Sequence, residues 1–129
     1  KLGAGRIGYL APYISEISAQ MCADFEADGF TVALAATFGE GQDSVVGRIS
    51  PSSIKRALGT LAKSAAGGID AIFVSCTSLK CASIIAAAEA ELGIPVISSN
   101  SALAWDMARL ANVPVGGPVN GTGKGMLFA

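Results

Sequence analysis

The chain has 129 residues, 51% of them hydrophobic, with 9 basic and 10 acidic side chains and a formal net charge of −1. That is enough for one domain with a real core and short of two. The balanced charge leaves no basic stripe for nucleic acid, and no apolar run approaches the roughly 18 residues of a membrane-spanning helix.

Arg6 to Ala11 reads as a first strand, which Pro12 ends. Ile14, Ile17, Met21 and Phe25 then recur at helical spacing, with Glu16, Asp24 and Glu26 off that face. Asp28-Gly29 stops this helix, and Phe30 to Leu34 is the second strand. Thr37 to Ile49 is polar and glycine-rich, a long loop of the kind that carries function. Ser50-Pro51 starts a helix, with an N-cap serine and a proline at the first helical position. Ile54, Leu58 and Leu61 form its apolar face, and Gly67-Gly68 ends it.

Asp70 to Ser75 is the third strand, and a helix is predicted from about Ser78 to Leu92, with Gly93 as its stop. Pro95 to Ser98 makes a short fourth strand, and Asn100 or Ser101 caps a last helix. In that helix Leu103, Met107 and Leu110 make one apolar stripe, while Trp105 projects roughly 200° round from Leu103. Apolar groups on two sides need cover on two sides, which predicts a partner domain or subunit. The tail from Val113 reads as irregular. Strands alternating with helices predict a single α/β domain over residues 1–129, built on a parallel four-stranded sheet with helices on both faces.

The chain has three cysteines, Cys22, Cys76 and Cys81, and no histidine. The odd count and irregular spacing give no disulfide framework and fit a reducing, cytoplasmic setting. Without histidine there is no Cys-His or Ser-His dyad and no His-based metal site. Gly3-Ala4-Gly5-Arg6-Ile7-Gly8 spells GxGxxG, but it leads into a strand instead of following one, so a linker is the better reading. Gly121-Thr122-Gly123-Lys124-Gly125 fails the spacing of a phosphate loop and reads as tail.

Cys76 is the residue that points to chemistry. It closes the apolar run Ile69 to Ser75 and opens the polar stretch Thr77-Ser78-Leu79-Lys80. A thiol at the carboxyl end of a strand and the predicted amino end of a helix meets free backbone N–H groups and the helix dipole, which favour a thiolate. In open α/β sheets ligands bind at this edge. Ser75, Thr77 and Ser78 offer hydroxyls around it. Ser98, Ser99 and Asn100 follow the fourth strand, and Pro12-Tyr13 follows the first, so all reach the same edge. Together they suit a small carboxylate. Cys22 and Cys81 read as packing residues.

Ser75-Cys76-Thr77-Ser78-Leu79, and the run from Leu92-Gly93-Ile94-Pro95 through Ser98-Ser99-Asn100 and Trp105-Asp106-Met107 to Leu110, resemble the aspartate/glutamate/hydantoin racemase superfamily. The branch that looks most similar holds maleate cis-trans isomerase, arylmalonate decarboxylase and the ectoine-utilisation racemase-like proteins. Arg6-Ile7-Gly8-Tyr9-Leu10-Ala11-Pro12-Tyr13 is similar to the start of the second half in that branch, and Gly47-Arg48-Ile49-Ser50-Pro51 also fits. The resemblance implies a pseudo-symmetric fold of two α/β halves facing each other across a cleft, of which this chain is the C-terminal half. It also implies cofactor-independent isomerase, racemase or decarboxylase chemistry beside a carboxylate, with one cysteine from each half and no metal.

Carried over residue by residue, Cys76 matches the second-half catalytic cysteine, Tyr13 a substrate-binding tyrosine, and Thr77 a position whose backbone N–H binds carboxylate. Pro12, Ser78 and Asn100 complete the expected substrate-binding set. Asp43 belongs to it too, but it lies in Gln42-Asp43-Ser44, where many isomerase relatives have an asparagine; a carboxylate there repels a carboxylate substrate unless protonated. The expected partners are a small carboxylate and the missing N-terminal half or a second subunit, with a homo-oligomer as the assembled form. The chain starts at Lys1 without Met, which predicts a fragment or a processed product. A non-catalytic carboxylate-binding module and a nucleotide-binding domain are the rival readings.

Overall fold

The computed structural model describes residues 2–114 and 125–128. Four parallel strands form one sheet in the order β2-β1-β3-β4: β1 is Arg6–Ala11, β2 Thr31–Thr37, β3 Ala71–Val74 and β4 Val96–Ser98. The helices are α1 (Ser15–Ala27), α2 (Asp43–Val46), α3 (Pro51–Ser64), α4 (Ile85–Leu92) and α5 (Ser99–Leu110), followed by a short 3-10 turn, Met126–Phe128. Residues 121–124, read as tail, lie outside the described residues.

The α/β expectation holds. β1 connects outward to β2 on one side, and β2 returns across it to β3 on the other. Right-handed crossovers in opposite directions put their helices on opposite faces. On one face α3 and α4 cover Leu10, Ile72 and Val74 with Ile54, Leu58, Ile85 and Ala88. On the other, Phe25 of α1 meets the rings of Tyr9 and Phe73, with Phe30 edge-on to Phe25. Gly8 lets α3 approach β1: a Cβ there would sit 2.6 Å from Leu61 Cδ2 and 3.0 Å from Ile69 Cδ1. Of the GxGxxG run only Gly8 serves packing, and the run leads into β1 and opens no helix.

At the amino edge of the sheet the Asp70 carboxylate accepts from the N–H groups of Gly5 (2.9 Å) and Arg6 (2.7 Å). These amides, the Arg6 one foremost, hold its carboxyl below the usual range. The Arg6 guanidinium donates to the Gly68 and Ala66 carbonyls, both at 2.8 Å. Ser50 caps α3 as expected, accepting from Ser53 N at 3.1 Å, with Pro51 opening the helix.

Four elements differ from the sequence reading, the first being β2, which runs on to Thr37 instead of ending at Leu34. The expected loop 37–49 contains the short helix α2, anchored by buried Val46. The fourth helix begins at Ile85, not near Ser78, because Leu79 and Cys81 turn inward into the core and break the helical run before it. The last helix starts two or three residues early: Ser98 is its N-cap, and it exchanges hydrogen bonds with Ser101 in a capping box. The four-stranded sheet leaves most of α5 uncovered. Leu103, Met107 and Leu110 are 57%, 60% and 66% exposed, whereas Trp105 on the other side is half-buried.

Candidate active site

β1 and β3 are adjacent in the sheet, and the chain leaves them in opposite directions, so a crevice opens at their carboxyl ends. Pro12 and Tyr13 follow β1 there, and Ser75, Cys76 and Thr77 follow β3. Ser75 N donates to Leu10 O at 2.8 Å and continues the β1–β3 pairing one residue past the strand end. Cys76 then turns out of the sheet with φ +89°, one of two non-glycine residues with positive φ among those described. The other, Asn112, is of a type that tolerates this region; cysteine is not. Such a conformation costs on the order of 1–3 kcal/mol and persists where surrounding structure imposes it.

The restraints are visible. Ser75 and Leu79 are buried on either side of the turn, and Asn100 Nδ2 donates to the Thr77 carbonyl at 2.9 Å. Asn100 sits in the first turn of α5, so its side chain ties the β4–α5 corner to the cysteine loop. Among the described residues, the N–H groups of Thr77 and Ser78 donate to no protein acceptor. This corrects the sequence expectation for the thiol. Cys76 is not at a helix amino terminus, since α4 starts nine residues later, and the groups near it belong to a strained turn.

Ser75 and Cys76 lie close enough to the Tyr13 phenol to influence its ionisation. Burial raises the Tyr13 phenol, Ser75 partly offsets this, and Cys76 adds to it. The Tyr13 carbonyl accepts from Thr37 Oγ1, and the Pro12 carbonyl from Glu40 N at 2.6 Å, so the β2 loop holds this corner. Asp43 is exposed at the start of α2 and close enough to raise the Tyr13 phenol slightly. Cys76 is 8% exposed. Cys81 lies deeper, and burial with Cys76 nearby pushes its thiol up to about 11. Burial, then Glu26, raises Cys22.

The expected residues therefore fall into groups. Tyr13, Ser75 and Cys76 lie near one another at the carboxyl ends of β1 and β3. Thr77 and Asn100 adjoin them through a hydrogen bond, and Asp43 stands at the rim. Pro12 is buried and shapes the corner, while Ser78 is half-buried in the turn. The Ser98 hydroxyl, expected in the pocket, is engaged with Ser101 instead. Tyr9 was missed. Its hydroxyl is buried near Ser75 without a hydrogen-bond partner among the described residues, and the sequence signal was a tyrosine inside an otherwise apolar strand, where a phenol needs a partner. Among the described residues, no group of three or more His, Cys, Asp or Glu side chains gathers as for a metal ion, and no helix is long and apolar enough to cross a membrane.

The chain as a whole is similar to known proteins. The arylmalonate decarboxylase family matches residues 1–128. A maleate isomerase from Nocardia farcinica (strain IFM 10152) is 30% identical over 118 residues, covering 91% of this chain and 46% of its own. An arylmalonate decarboxylase from Bordetella bronchiseptica is 29% identical over 127 residues, covering 98% of this chain and 51% of its own. A solved structure of a mutant Nocardia farcinica maleate cis-trans isomerase, with a covalently bound succinylcysteine intermediate, superposes with a TM-score of 0.86 at 28% identity, covering 98% of this chain and 49% of that one. The chain spans about half the length of the relatives it matches. By fold and sequence, it belongs to the arylmalonate decarboxylase family.

Proposed function

We propose that Cys76 is the reacting thiol of a cofactor-independent isomerase for small dicarboxylates, of the maleate cis-trans type, with this chain supplying the C-terminal half of the site. The observation that carries this reading is the strained turn at the β1–β3 switch point, which sets Cys76 at the carboxyl edge of the sheet beside the Pro12-Tyr13 corner. The thiolate adds to one alkene carbon of maleate, and the electron pair moves toward the carboxylate on the other carbon. A proton then gives a succinyl-cysteine. Rotation about the new single bond, loss of that proton and expulsion of the thiolate release fumarate. Sulfur suits both directions, being a strong nucleophile and a competent leaving group. The Thr77 and Ser78 amides are the donors at hand for a substrate carboxylate. Asp43 at the rim opposes a dianion, so it favours substrates whose second carboxylate points away from α2.

A decarboxylase reading is second. The family match over residues 1–128 favours it, with Cys76 protonating an enediolate instead of adding to a double bond.

Incubation of the chain with maleate, followed by peptide mass spectrometry, tests the first reading. A mass increase of one maleate on the Cys76 peptide is expected, absent in Cys76→Ser. Maleate is also expected to slow iodoacetamide alkylation of Cys76. Cys81, held at about 11, is the internal control: at pH 8 roughly one part in a thousand is thiolate. No adduct and no protection would sink the proposal. Turnover of an arylmalonate without maleate turnover, in the protein carrying both halves, would favour the second reading.

A further inference from the structure

The segments that leave the carboxyl ends of the strands carry charge unevenly. Between β2 and α3 stand Glu40 and Asp43, and the cation there, Arg48, has its Nε on the Ser44 carbonyl at 3.0 Å. After β3 the first charge is Lys80. The sheet order is β2-β1-β3-β4, so the acidic loop and the Lys80 segment leave from opposite sides of the β1–β3 crevice. An exposed lysine is ordinary, but this one borders a pocket of about 300 Å³. Leu79 and Cys81, both buried, line it too, together with Thr77, Ser83 and Asn100. The Cys81 thiol, pushed up to about 11, stays neutral, so Lys80 brings the one charge among the lining residues. Among the described residues its ammonium has no ion pair or hydrogen bond, and the Thr77 and Ser83 hydroxyls have no hydrogen bond either. Asn100 Nδ2, held on the Thr77 carbonyl at 2.9 Å, joins this pocket to the residue after Cys76. Buried apolar side chains beside an uncommitted cation and free hydroxyls suit a small organic anion.

We propose that this pocket takes the substrate carboxylate that points away from Asp43, and that Lys80 selects a dicarboxylate over a monocarboxylate. The Thr77 and Ser78 amides beside Cys76 are neutral and Asp43 is an acid, so Lys80 supplies the positive charge that a dianion needs. Lysine also suits a carboxylate that moves. Cis–trans conversion swings one carboxylate about the central bond, and an ammonium on a flexible four-carbon stem can follow it, whereas a planar guanidinium fork holds one direction. The inference rests on the reading of Cys76 as the reacting thiol.

The test is protection of Cys76 from iodoacetamide, read by peptide mass spectrometry, with succinate and propionate as unreactive di- and monocarboxylate probes at fixed ionic strength. The wild-type chain is expected to be half-protected at a lower concentration of succinate than of propionate. Lys80→Gln is expected to raise the succinate concentration about two- to fivefold, the range of an ion pair open to solvent, and to leave the propionate concentration unchanged. Lys80→Arg keeps the charge and is expected to keep most of the preference. Lys80 is exposed, so both variants are expected to fold, which circular dichroism checks. Added salt is expected to weaken succinate protection more in the wild type than in Lys80→Gln. No succinate preference in the wild type, or a preference that Lys80→Gln leaves unchanged, would overturn this inference and leave the proposed function standing where maleate still protects Cys76. If neither probe nor maleate protects Cys76, both fall.

Discussion

Cys76 carries the local tension of the molecule. Its φ of +89° is one that glycine adopts freely and cysteine does not, yet the thiol belongs to the buried cluster around Leu79 and Cys81. Strain at a reactive group has a use: it turns the backbone out of the strand ladder at the carboxyl edge of the sheet. Shortening the side chain therefore has two separable effects. Cys76→Ala and Cys76→Gly both lose the thiol's packing, but only glycine also relieves the backbone. Cys76→Gly is expected to be the more stable of the two, by up to about 1 kcal/mol in urea unfolding. If alanine proves the more stable, the turn is not strained by its side chain. At this scale the sequence was partly legible. Cys76 and Tyr13 are expected from residues following strands, and both stand at the carboxyl edge of the sheet. The positive φ was invisible, because nothing in Ser75-Cys76-Thr77 demands it; it follows from Leu79 and Asn100 pinning the turn from opposite sides.

Among elements, strands were read better than helix starts. β1, β3 and β4 lie within a residue of their expected limits, because short apolar runs between turn residues have little choice once they enter a parallel sheet. Helix α4 was misplaced by a whole segment, because burial of Leu79 and Cys81 overrode the helical propensity of the residues after Cys76. The amino edge is held by Asp70, whose carboxylate bridges the start of β1 to the start of β3. Its folded pKa lies below the unfolded value, so its contribution to stability is present above about pH 4 and is lost as pH falls through the depressed value. Asp70→Asn is expected to unfold at lower urea than wild type at pH 7, with the gap closing toward pH 2. Parallel curves for the two proteins across that range would show that the clamp contributes nothing through its charge.

For the whole molecule, the exposed stripe on α5 stands out in a chain that spans about half the length of the relatives it matches. Leu103, Met107 and Leu110 lie on one helical face with no cover among the described residues, and Ile14 just before α1 and Ile17 within it are also exposed. Apolar area of this kind drives association. Light scattering of the chain is expected to show concentration-dependent association, reduced in a Leu103→Lys, Met107→Glu variant whose circular dichroism is unchanged; a chain that is monomeric before substitution would refute this. The apolar stripes on α1 and α5 were read from their spacing, but the residue that turns inward on α5 is Trp105, with the expected stripe left outside. The sequence by itself determined the α/β alternation, the parallel sheet, the α3 cap and the family, because these follow from local periodicity, turn residues and short motifs. Only the tertiary structure decided which face of α5 is covered, where α4 begins, and that Tyr9 stands behind Ser75. Those outcomes depend on which side chains from distant segments compete for the same buried volume, and no local pattern records that competition.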